Sequence, residues 1–327
     1  MSTTNSQDDK PLPFALQKDV WKHYMQNRPS YPDSLWHEWI EYHQGPLNTA
    51  HELGTGCGIG AASLLAVSHA RGKPIKHMIL SDPSESNVTT AKELLKADDY
   101  PSTRLSFYQK LGEDSFLEPG SVDMIIACEC LHFTDIEKAM ASVHKSLRPG
   151  GTVASVFYGV LNARIPDNER ADAACKEFGR SHFQRVLDEK METVLARVKV
   201  SQVGLGLNFV PLDKDMWQDV RRIFVNVPDG QAEWPMEVGL PKHVRRNGRS
   251  RIDTEYDMLE WRSDPDGWAI RSCTTRRIKE MMLSMLLQYG DKDWQSEEWG
   301  EFEAAVSDGG GTFHFVFPAT MILARKK

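Results

Sequence analysis

The chain has 327 residues, enough for one large domain or two small ones, with 40% hydrophobic and 26% charged residues, an ordinary balance for a globular protein. Its 46 acidic side chains outnumber 39 Lys and Arg, for a formal charge of −7, which speaks against binding nucleic acid through phosphate neutralisation. Five cysteines, an odd number without paired CxxC spacing, speak against a disulfide framework and a structural zinc site.

The opening residues, MSTTNSQDDKPLP, are polar and lack the basic and apolar regions of a secretory leader. Residues 1–18 are expected to be a flexible tail, the remainder one domain, and the location cytoplasmic with reduced thiols. No apolar run reaches the length of a membrane span. Apolar spacing from Leu35 to Tyr42, with Pro32 just before, predicts an amphipathic helix. A short strand is expected at Thr49–Leu53. It runs into HELGTGCGIG (51–60), four glycines in seven positions behind Glu52. The small apolar run AASLLAVSHA then predicts a helix opened by the glycine turn.

Further along, HMILSD predicts a strand ending on Asp82, ESNVTTAKELLKA a helix, and RLSFYQ a third strand. SVDMIIACEC predicts a fourth strand, DIEKAMASVHKSL a helix stopped by RPGG, and TVASVFYG a fifth strand. This alternation implies a parallel sheet with helices on both faces. Past Gly159 it ends. Residues 168–200 read as helical, MWQDVRRIFVN as a strand, and 228–250 as loop. TEYDMLEWR and TRRIKEMMLSMLLQYG read as helices, SDGGG as a turn, and TFHFVFPATMILARKK as one last strand. The core is therefore expected over 45–160 plus later strands and 312–327, under a cap at roughly 160–310.

In open α/β sheets ligands bind beyond the carboxyl ends of the strands. Glycines there admit a ligand to the backbone, and the following helix adds positive potential. Two patterns overlap at this turn. Gly56, Gly58 and Ala61 satisfy G-x-G-x-x-G/A loosely, as a nicotinamide enzyme would. Glu52, Gly54, Gly56 and Gly58 satisfy acid-x-G-x-G-x-G completely. A diphosphate would be repelled by Glu52, whereas a cationic ligand would be attracted.

With these motifs, and with YMQNRPSYP (24–32), SDPSESNVTTA, LGEDSFLEPGSVDMIIACECLHFTD and SLRPGGTVA, the chain resembles the class I S-adenosylmethionine (AdoMet) methyltransferases of the trans-aconitate methyltransferase-like type. The likeness covers about residues 20–160. It implies a Rossmann-like α/β fold with a mostly parallel seven-stranded sheet and a substrate-capping insertion. It also implies that Gly54, Gly56 and Gly58 cradle AdoMet, that Glu52 serves the cationic methionine part, and that Asp82 holds the ribose. Gly112, Glu113 and Asp114 would lie at the adenine edge, and Cys128 and Glu129 at the methionine and sulfonium end.

The acceptor implied is an oxygen of a small molecule, a carboxylic acid by preference. His132, after the fourth strand, is the candidate catalytic residue, as a base or an orienting donor. Tyr24, Arg28, Tyr31, Trp261 and Arg262 join it as candidate acceptor-binding residues, the last two on a cap helix. No metal is expected at Cys128 and Cys130, and no nucleic-acid or membrane partner. Two alternatives stay open: an AdoMet-fold protein that binds without methyl transfer, and a nicotinamide oxidoreductase.

Overall fold

A computed structural model of the chain describes residues 18–198, 204–232, 249–284 and 289–327. Residues 1–17 of the expected tail, most of the arginine-rich stretch 243–251, and 285–288 of the methionine-rich segment lie outside the described residues.

Two helices, α1 (Lys18–Asn27) and α2 (Asp33–Tyr42), precede the sheet. Pro32 caps α2 in an extended conformation, as its fixed φ favours. The expected alternation follows: β1 (Thr49–Leu53), α3 (Ile59–Ala70), β2 (His77–Asp82), α4 (Glu85–Leu94), β3 (Arg104–Gln109), β4 (Val122–Cys128), α5 (Ile136–Ser146) and β5 (Leu147–Tyr158). Then come α6 (Glu169–Val198), β6 (Trp217–Val225), β7 (Met258–Arg262), β8 (Ala269–Cys273), α7 (Thr275–Leu283), α8 (Asp291–Trp294), α9 (Glu297–Asp308), β9 (Phe313–Val316) and β10 (Ala319–Lys326).

The main sheet has the order β3-β2-β1-β4-β5-β10-β6-β7. Only β10 runs against its neighbours, β5 and β6. The order reverses between β1 and β4, which are parallel neighbours, and a ligand crevice belongs beyond their carboxyl ends. The sheet separates two apolar cores. Met124 and Ile126 of β4 face Trp36, Trp39 and Leu64 of α2 and α3. Ile125 and Ala127 face Met140 and Val143 of α5. This is the two-residue alternation of a strand buried on both faces.

Two expectations are corrected. Residues 254–262, read as a helix, give a turn and then β7, an eighth strand paired in parallel with β6. Leu259 and Trp261, two apart, pack on the second core, and Trp261 stacks on Phe224 at 5.2 Å. Period-two contact with an existing sheet edge outweighs a short helical pattern. The last strand is two strands. β9 pairs with β8 in a separate two-stranded sheet, and β10 enters the main sheet after Pro318. Proline has no N–H to give to a ladder, so the break falls there. Among the described residues, no helix is long and apolar enough to cross a membrane.

Candidate active site

The turn after β1 is built from left-handed backbone. Gly54, Gly56 and Gly58 have φ of +68°, +54° and +88°, values that side chains with a Cβ rarely adopt. Space is as restrictive as conformation. A Cβ would lie 2.5 Å from Cys130 Cβ at Gly54, 2.8 Å from Trp21 Cη2 at Gly56, and 2.1 Å from Leu95 Cδ1 at Gly58. The loop is thus pressed between the end of β4, helix α1 and the end of α4.

Glu52 lies under this loop, 2% exposed. Its Oε2 accepts from Thr55 Oγ1 at 2.5 Å and from the Ala61 amide at 3.1 Å, in the first turn of α3. Burial pushes its carboxyl up to about 7; those two donors pull it down, and Asp82 adds a smaller upward push. Among the described residues, no cationic side chain pairs with it. Asp82, at the end of β2, accepts from the amides of Gly56 and Ser84, each at 2.9 Å, and from Asn87 Nδ2 at 3.0 Å. Burial raises it as well, against those same donors.

Both acids line a cavity of about 230 Å³ at the switch point. Of the residues singled out from the sequence, Tyr24, Arg28, Tyr31, Gly54, Gly56, Gly112, Glu113, Cys128, Glu129 and His132 also line it. Gly58 shapes the turn from behind. Asp114 is not on this wall: its carboxylate accepts the Leu111 amide at 3.0 Å, and it borders a smaller hollow with His51 and Phe116. Glu113 accepts the Asp135 amide at 2.6 Å.

At the far end, Glu129 has a φ of +55° and accepts the Tyr158 amide at 2.5 Å. Burial pushes it up to about 8, moderated by Arg28 and by that bond. The Arg28 guanidinium lies 4.9 Å over the Tyr24 ring and 5.9 Å over Tyr158. Its Nε is buried, with no hydrogen bond among the described residues. Burial opposes its charge, but Tyr24, Tyr158 and Glu129 outweigh burial and hold it above its ordinary range. His132 is buried, its ring 4.0 Å from Phe133 and 4.9 Å from Phe157.

Trp261 and Arg262 are brought elsewhere. They sit on edge strand β7, not on the cavity wall. Trp261 Nε1 donates to Gln231 O at 3.0 Å, and Arg262 pairs with Glu38 and Glu260 at 2.8 and 2.6 Å. A guanidinium already held by two carboxylates has little left to offer an acceptor, so the expected cap-helix role of this pair is withdrawn. Conversely, Trp21, Thr55, Asn87, Leu111 and Cys130 line the cavity without having been signalled. No local pattern marks them, because their place depends on how α1, α4 and the end of β4 meet. Among the described residues, no group of three or more His, Cys, Asp or Glu could hold a metal ion.

The donor set fits AdoMet. That molecule has two positive centres, sulfonium and ammonium, and one carboxylate. The wall offers three desolvated acids (Glu52, Asp82 and Glu129) and one guanidinium. The glycine turn supplies the close backbone approach.

A methyltransferase-domain family matches residues 52–153, from Glu52 into β5. The chain is similar to methyltransferase AacuQ of Aspergillus aculeatus, 30% identical over 322 residues, covering 96% of this chain and 95% of that one. It is similar also to methyltransferase tpcM of Aspergillus fumigatus, 32% identical over 340 residues and covering 98% and 95%. Among solved structures, a candidate type II methyltransferase from Anaeromyxobacter dehalogenans shares the fold, with a TM-score of 0.55 at 16% identity, covering 91% of this chain and 97% of that one.

Proposed function

This chain belongs to the S-adenosylmethionine-dependent methyltransferases, and from that premise we propose that it methylates an oxygen of a small molecule, a carboxylate by preference. Bound AdoMet supplies an electrophilic methyl carbon on a positively charged sulfur. The chain's own residues then have to hold the ends of the ligand, align the acceptor and keep water out. In this reading Glu52 faces the cationic methionine part, Asp82 the ribose, and Gly112 and Glu113 the adenine edge. Cys128 and Glu129 border the sulfonium end. Tyr24, Arg28, Tyr31 and His132 receive the acceptor.

One observation carries the acceptor class: the Arg28 guanidinium is permanently charged, half-buried against Tyr24 and Tyr158, and its buried Nε has no hydrogen bond among the described residues. Such a group suits a planar oxyanion. A carboxylate is already a nucleophile at neutral pH. Its oxygen forms the bond to the methyl carbon, the carbon–sulfur electron pair stays on sulfur, and no proton has to leave. His132 then orients the acceptor and is not required as a base.

A second reading, a phenol or alcohol acceptor, is favoured by Glu129. A carboxyl near 8 is well matched to removing a hydroxyl proton at neutral pH.

Incubation with methyl-labelled AdoMet and a panel of small carboxylic acids and phenols tests both. Label released by mild alkali is an ester and supports the carboxylate. Alkali-stable label is an ether and supports the hydroxyl. AdoMet bound without any labelled product contradicts methyl transfer to small molecules.

A further inference from the structure

The N-terminal helix is tied to the cofactor loop by a chain of hydrogen bonds. Trp21, 5% exposed on α1, rests its ring on Gly56. Its Nε1 donates to Asn87 Oδ1 at 2.9 Å. Asn87, 2% exposed in the first turn of α4, donates from Nδ2 to Asp82 Oδ1 at 3.0 Å. The Ser84 amide donates to the same oxygen at 2.9 Å, while among the described residues Oδ2 receives the Gly56 amide alone. Oδ1 is therefore committed twice, and Oδ2 keeps a lone pair for a ligand.

The direction of the Asn87 amide decides whether this works. Its two ends have nearly the same shape and opposite polarity. The indole N–H demands an acceptor, so the amide oxygen turns to Trp21 and the NH2 to Asp82. Without the indole N–H the amide loses one of its two restraints, and the Asp82 carboxylate alone holds the NH2 on Oδ1. Docking of α1 does not hang on this chain alone. Arg277 of α7 donates to Gln26 O and to Asn27 Oδ1, and His23 Nε2 meets Glu280 O at 3.2 Å.

We propose that Trp21 and Asn87 are positioning residues for ribose recognition: through them α1 fixes the Asp82 oxygen that accepts from the ribose hydroxyls. The proposal rests on Asp82 being the ribose acceptor. It makes cofactor affinity depend on a helix outside the Rossmann-like core.

Calorimetry on the full chain with AdoMet and with 5′-methylthioadenosine, which keeps ribose and adenine but has no amino-acid end, tests it. Trp21→Phe removes the indole N–H together with the outer ring atoms that rest on Gly56; it is expected to weaken both ligands about fivefold or more, one hydrogen bond setting the lower bound. Asn87→Asp sets a second carboxylate beside Asp82 and is expected to weaken both by about tenfold or more. In an Asp82→Ala background, Trp21→Phe should add nothing further. Met25→Ala, on the exposed side of α1, should leave both affinities as they are.

Unchanged affinity in Trp21→Phe, or a loss confined to AdoMet, overturns the positioning role while the cofactor site stands. So does the same fivefold loss in the Asp82→Ala background. Wild-type affinity in Asp82→Ala itself overturns the assignment of Asp82 and the proposal with it.

Discussion

Glu52 is a buried acid without a cationic partner among the described residues. Its folded carboxyl lies near 7 against a reference of 4.5. A raised acid binds its proton more tightly in the folded chain, so this group contributes stability at low pH. That contribution fades as pH rises through about 4.5 to 7. A bound cation acts in the opposite sense, because it favours the ionised carboxylate. The neighbours facing Glu52 are Asp82 from β2, the Thr55 hydroxyl, and the thiols of Cys57, Cys128 and Cys130, all pushed up by burial. None supplies positive charge. AdoMet affinity is therefore expected to rise about tenfold between pH 5.5 and pH 7. Glu52→Gln should flatten that rise, leaving the part that Glu129, raised to about 8 on the same wall, contributes. Titration by calorimetry at several pH values checks this, and an equally steep profile in Glu52→Gln would show that another group is responsible.

At the scale of elements, the strands that carry the glycine turn and both acids were readable, whereas the later ones were not. β2 and β4 each pair in parallel with β1, each lies in a βα unit, and their apolar runs have one sensible reading. β7 takes its identity from β6, and Met258–Arg262 becomes a strand only against that edge. A buried ion pair anchors the addition. Arg222 of β6 is fully buried. Its Nε donates to Asp257 Oδ2 at 2.5 Å, and its other nitrogens reach the carbonyls of Leu207, Val210 and Arg251. Burial pulls Arg222 below its ordinary range, and Asp257 opposes that. Asp257→Ala would strand the guanidinium and is expected to cost about 3–5 kcal/mol. Arg222→Met with Asp257→Leu should recover most of that loss. Urea unfolding midpoints measure both. A single variant as stable as the wild type would mean that the pair contributes little.

For the whole molecule, a motif of seven residues pointed to the cavity, which is closed by distant parts of the chain. Gly54, Gly56 and Gly58 could be read in sequence because their spacing serves one local turn. Trp21 and Asn87 could not, since they meet only when α1 folds back on α4, 66 residues away. Arg262 was misplaced for the same reason: its partner Glu38 belongs to α2. The assembled cavity has more buried acid than base, and that imbalance is what a cationic methyl donor would satisfy. Calorimetry of the full chain with AdoMet and with NADH tests this most directly, in the wild type and in Glu52→Gln. AdoMet is expected to bind in the micromolar range, about tenfold more weakly in Glu52→Gln, and NADH to give no heat. AdoMet affinity that ignores the Glu52 change, or a site that takes NADH instead, would contradict this.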